Sequence, residues 1–103
     1  MRVIVATTTW ARLRGLILRP SPAAGHALLL CPAASIHTCF MSYPIDVVFL
    51  DAHGRVLSVH RAIPPWRVRV QRGARAALEL RAGEATRLGI EPGKLAPCCP
   101  PPW

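Results

Sequence analysis

The segment Ile45-Asp46-Val47-Val48-Phe49-Leu50 constrains the fold more than any other stretch, because its apolar side chains fall on both faces of an extended chain. A strand of this kind has to be covered from two sides, by helix and sheet or by the inside of a curled sheet. Asp51-Ala52-His53-Gly54 follows directly as a hairpin turn, with Gly54 free to take positive φ, and residues 55–63 read as the returning strand. A chain of 103 residues has room for one core around such a hairpin and not for a second. With 51% hydrophobic and 17% charged residues, that core can be filled.

The flanks supply further short elements. Residues 2–6 read as a strand, and the threonines that follow offer an N-cap for an amphipathic helix over 10–18, where Trp10, Leu13 and Ile17 recur at helical spacing. Residues 27–31 read as a buried strand. Pro64-Pro65 breaks the hairpin's second strand, and an alternation of apolar and polar residues resumes over 66–70. A strand over 76–80, a short helix over 82–88 stopped by Gly89, and a turn at Glu91-Pro92-Gly93-Lys94 complete the set. The expected fold is α+β: a small curled antiparallel or mixed β-sheet, or a partly open barrel, covered by two short helices. Residues 1–95 form the domain, and the Pro/Cys-rich end, 96–103, is expected to be an extended tail.

Thirteen Lys and Arg against five Asp and Glu give a formal net charge of +8, and every cation except Lys94 is arginine. Such a chain attracts polyanions without sequence preference. Arginine in place of lysine on solvated faces is also what a GC-rich genome produces. No stretch reaches the ~20 apolar residues of a membrane-spanning helix. The N-terminal residues lack the pattern of a secretory signal, so a cytoplasmic location with reduced thiols is expected.

The ordered set of segments resembles a known family. Trp10-Ala11-Arg12-Leu13-Arg14-Gly15-Leu16 is similar to its opening motif. Phe40-Met41 before Pro44-Ile45-Asp46-Val47-Val48-Phe49-Leu50-Asp51 and then Gly54-Arg55-Val56-Leu57 follow in order. Ala77-Leu78-Glu79-Leu80, Ala82-Gly83 and Leu88-Gly89-Ile90 close the match. The family is the bacterial and archaeal domain of unknown function 192, also uncharacterised protein family 0127. The resemblance implies a compact, mainly β domain with accessory helices, and it implies no reaction. In this chain only Ser42 and Tyr43 separate Met41 from Pro44, where members more often carry a longer segment. Lys94 stands where an acidic residue is frequent, and the Cys98-Cys99 tail lies beyond the match.

Three function classes follow from the residues. The leading one is a non-catalytic binding or accessory domain whose rim combines the 37–44 loop with residues 64–69. His37, Met41, Tyr43, Asp46, Trp66, Arg67 and Arg69 are its ligand-binding candidates, since exposed aromatics and arginines make binding hot spots. A second is a small metal- or thiol-dependent enzyme centred on Cys31, His37, Cys39 and Asp46. Cys31, His37 and Cys39 would be three of the four ligands that structural zinc requires, and Asp46 could orient His37 beside a Cys39 nucleophile. Buried cysteines acting as small apolar residues, and an aspartate anchoring a loop through backbone amides, are the plainer alternatives. A third is a nucleic-acid binder using Arg61, Arg67, Arg69, Arg72 and Arg75, with the basic side of the 66–70 alternation facing outward. The same charges suit an edge strand protected against aggregation. No cofactor is called for, because neither a dinucleotide fingerprint nor a phosphate loop is present. The partner, protein or small molecule, is not specified by the sequence.

Overall fold

The computed structural model describes residues 2–6, 26–38 and 43–96. Their elements are β1 (Arg2–Ala6), β2 (His26–Leu30), β3 (Ser35–His37), β4 (Ile45–Leu50), β5 (Val56–Ile63), β6 (Val68–Val70), β7 (Ala76–Arg81) and α1 (Glu84–Arg87). Five strands form a main sheet in the order β1-β2-β7-β4-β5, and β3 pairs with β6 in a separate ribbon. Strands β1 and β2 run parallel, and every other pairing is antiparallel.

The two-sided burial expected of β4 holds at all six positions. It is achieved by packing a layer against each face. Ile45, Val47 and Phe49 share a cluster with Leu28, Leu30, Ile63 and Ala77 of the main sheet and with Ala33 and Ile36 of the β3 segment. Val48 and Leu50 face the other way, into a cluster with Leu29, Cys31, Leu78, Leu80, Ala85 and Ile90. The ribbon therefore covers one face of the sheet, and α1 with its following turn covers the other. Of the curled mixed sheet or partly open barrel that was expected, the described strands form a mixed sheet and a separate ribbon that do not close into a barrel, with β1 and β5 at the two ends of the main sheet. Among the described residues α1 is the one helix, so two covering helices are not seen. The helix expected over 10–18, and the Pro/Cys tail from 97 onward, lie outside the described residues.

Asp46 joins the layers. It sits on the α1 side of β4, fully buried. Opposite it, the β4–β5 register slips between Ile45↔Ile63 and Val47↔His60, so that Arg61 and Ala62 oppose one residue. Ala62 takes φ +50° in this bulge, and its N–H donates to Asp46 Oδ1 at 2.8 Å. Asp46 Oδ2 accepts from Gly83 N–H at 3.0 Å and Ala85 N–H at 2.9 Å. These amides lie at the N-terminus of α1, where Gly83, at φ +95°, has no side chain to cap the helix. Asp46 supplies the cap from another element, and its negative charge suits the positive end of the helix. Gly83 as N-cap also explains why α1 starts two residues later than the sequence suggests.

The Asp51 turn forms as expected. Its Oδ1 accepts from His53 N–H at 2.8 Å and Arg55 N–H at 3.0 Å, and Gly54 takes φ +80°. These two backbone amides hold the Asp51 carboxyl below its ordinary pKa.

Asp46→Asn keeps the volume of the side chain but turns an NH2 toward amide donors. Unfolding in urea should show a loss of about 2–3 kcal/mol, with α1 amides exchanging faster than the rest of the sheet.

Candidate functional site

The ribbon sets His37 and Thr38, where the first rim segment begins, beside residues 66–68 of the second. Ser35, Ile36 and His37 pair with Val70, Arg69 and Val68. Thr38 N–H donates to the Arg67 carbonyl and Gln71 N–H to the Ala34 carbonyl, both at 2.8 Å, extending the ladder at each end. Ile36, 5% exposed, turns inward onto the main sheet, and its partner Arg69 is half-buried with it. The pleat then turns Val68 and Val70 outward, at 59% and 66% exposure. The expected order is therefore inverted over β6: valines face solvent, and the arginine between them lies against the protein. The reason is that Ile36 needs the covered face, and register fixes Arg69 beside it.

Thr38 shapes the chain leading into β6. It is fully buried, and its Oγ1 donates to the Pro64 carbonyl at 2.7 Å while accepting from Arg67 N–H at 2.8 Å. Its own carbonyl accepts Trp66 N–H at 3.1 Å. Held at both ends, the loop bends through Trp66, which takes φ +65°. That is costly for a residue with a Cβ, of order 1–2 kcal/mol. The indole is nonetheless 58% exposed. Arg67 is exposed beside it, with Nη1 donating to the Trp66 carbonyl at 3.3 Å.

The remaining sequence candidates distribute as follows. Tyr43 is half-buried against the cluster containing Ile36 and Ile63, at the base of the ribbon. His37 is half-buried in β3, and its Nδ1 is buried without a hydrogen-bond partner among the described residues. Asp46 lies across the main sheet from the ribbon, with both oxygens engaged by backbone amides. Cys31 is buried in the α1-side cluster, away from His37. Cys39 and Met41 lie outside the described residues. Arg61 separates from the other arginines, reaching Thr86 Oγ1 at 3.2 Å and the Ile90 carbonyl at 3.3 Å. Arg72 and Arg75 are exposed in the turn after β6.

Three residues not among the sequence's site candidates belong to the same region. Thr38 is one. Glu79, fully buried in β7, lies opposite Leu28 and Val47 on the ribbon side of the main sheet. His60, opposite Val47 on the same side, meets Phe49 edge-on with ring centroids 5.6 Å apart. Its burial, reinforced by the charge of Arg69, pushes the imidazole below its ordinary pKa. A buried threonine has no composition signal of its own; His60 stands out only as a polar residue on the inward repeat of an apolar strand.

Comparisons with known proteins agree with the resemblance. The sequence model of the family DUF192, described as an uncharacterized ACR, matches residues 1–96. A UPF0127 protein of Thermococcus sibiricus (strain DSM 12597 / MM 739) is 39% identical over 99 residues, covering 89% of this chain. The chain spans 62% of that relative's length. A crystal structure of a protein of unknown function from Novosphingobium aromaticivorans DSM 12444 superposes with a TM-score of 0.78 at 26% identity, covering 88% of this chain and 70% of the other. A second, from Sinorhizobium meliloti 1021, gives the same TM-score at 27% identity, covering 88% and 76%; that protein carries a provisional description as a transcription regulator.

Thr38→Val preserves shape but strands the Pro64 carbonyl and the Arg67 N–H. Denaturant unfolding should show a loss of about 2–3 kcal/mol, and Thr38→Ser should recover most of it. Because His60 is harder to protonate folded than unfolded, the unfolded chain binds more protons in mildly acid solution. Stability should be full above about pH 6.5 and fall as the pH drops below it. Melting curves from pH 8 to 5 should show that decline, and His60→Leu should flatten it.

Proposed function

Because the chain belongs to the DUF192 family, whose description names no reaction, we propose that it is a non-catalytic binding domain acting through the rim made by the 37–44 loop and residues 64–69. The observation that carries this reading is Trp66. A large aromatic side chain stays 58% exposed on a backbone at φ +65°, fastened through Thr38. Glycine takes positive φ without steric cost, so an aromatic residue at this position is kept against a backbone penalty. Retaining strain under an exposed aromatic is the signature of a contact made for another molecule. Arg67 beside it, and Tyr43 half-buried against the cluster that seats the ribbon, add residue types that dominate binding energy in interfaces. The provisional regulator description of the Sinorhizobium meliloti neighbour accords with action by binding.

Peptides selected from a random display library on the immobilised chain supply ligands with which to test this. Trp66→Ala should weaken their binding more than tenfold at an unchanged melting temperature. Trp66→Gly should bind as poorly while matching or exceeding the parent's stability, by up to about 1 kcal/mol, as strain is relieved. Selected ligands that bind both variants as well as the parent would remove the rim as the binding surface.

A further inference from the structure

We infer that the outer edge of β6 binds an extended, acidic polypeptide segment as an added strand, and that this is how the rim holds a partner. The inference rests on the rim reading and specifies its ligand.

The backbone geometry comes first. Hydrogen-bonded pairs of the ribbon fall at 34/71, 36/69 and 38/67, as fixed by the Gln71-to-Ala34 and Thr38-to-Arg67 bonds and the register between them. Val68 and Val70 occupy the alternate positions, so their N–H and C=O groups point away from β3. No strand among the described residues pairs with that edge. Arg69 Nη1 donates to the Val68 carbonyl at 2.9 Å, which leaves that oxygen a second lone pair. An edge that no described strand pairs, with two valines at 59% and 66% exposure, is a template for strand pairing. On β6 itself the outward side chains are the two valines, because register sets Arg69 on the Ile36 side.

Charge selects the occupant. All five acidic residues of the chain are described, and among the described residues none forms a salt bridge with an arginine of this region. Asp46 and Asp51 serve backbone amides. Glu84 pairs with Arg87 and Glu91 with Lys94. Glu79 lies buried in the main sheet. Arg67, Arg69, Arg72 and Arg75 form no salt bridge among the described residues, and three of them are exposed around the ends of β6. A second copy of the chain would set these arginines against their own kind across the new pair, where like charges destabilise. A segment alternating Glu or Asp with aliphatic residues meets both conditions: its acids reach the arginines while its apolar side chains cover Val68, Val70 and Trp66. Nucleic acid fits less well. The outward carbonyls repel phosphate, and valines offer no stacking surface.

The test uses the blocked heptapeptide acetyl-Glu-Val-Glu-Val-Glu-Val-Glu-amide with the intact chain. Its binding should saturate and weaken as salt is raised. Exchange of the Val68 and Val70 amides should slow at least tenfold in its presence. The peptide N-methylated at its three central residues, and the peptide with Lys in place of Glu, should each bind at least tenfold more weakly. Equal binding by either control would overturn the inference, as would protection elsewhere in the chain. Tighter binding of a thymidine dodecamer at the same salt, or protection of Val68 and Val70 by dimerisation of the chain alone, would overturn it too. Loss of the heptapeptide alongside display-selected ligands that still require Trp66 would remove strand addition and leave the rim; loss of both would remove both.

Discussion

Three backbone amides converging on one buried carboxylate hold the architecture together. Asp46 closes the β5 bulge with one oxygen and caps α1 with the other. Without it, Ala62 would have no reason to keep φ +50°, and the helix would begin at a glycine with nothing to receive its free amides. The bulge turns the end of β5, so the direction in which the chain leaves toward Pro64 and the rim is set on the far side of the sheet. A residue that resembles a catalytic acid by type and position thus acts through geometry.

The ribbon is organised by a second buried polar group, in a different manner. Thr38 joins four carbonyl or amide groups of a loop containing two prolines, which cannot satisfy itself through regular pairing. The strained turn at Trp66 lies between the two points that Thr38 fixes. Ile36 seats the ribbon on the main sheet, and its register decides that valines rather than arginine look outward. One apolar anchor therefore determines the chemistry of the opposite face.

Much of this was legible beforehand, for local reasons. The 45–50 strand announced its two-sided burial, the Asp51–Gly54 turn its conformation, and Pro64-Pro65 the end of β5. Each rests on properties of adjacent residues. The β3 strand was not legible, because three residues carry too short a pattern and exist as a strand only once β6 is beside them. The inversion of β6 was hidden for the same reason: alternation shows that two faces differ but not which one meets the protein. The sequence set His37 and the 64–69 segment in one rim, yet Thr38, which bonds to Pro64, Trp66 and Arg67, is an ordinary threonine until its partners are known. Likewise, Asp46 could be read as either anchor or acid until Gly83 and Ala85 were found beside it.

Arginines around an unpaired edge have a second effect, on the chain's behaviour among its own copies. Valines left this exposed invite sticking, and here mutual repulsion is the insulation. Its reach is the Debye length, ~10 Å at 0.1 M salt and ~3 Å at 1 M. The same cations that draw in a negatively charged segment thus keep identical molecules apart in dilute buffer, and brine would strip away that protection while leaving the fold untouched.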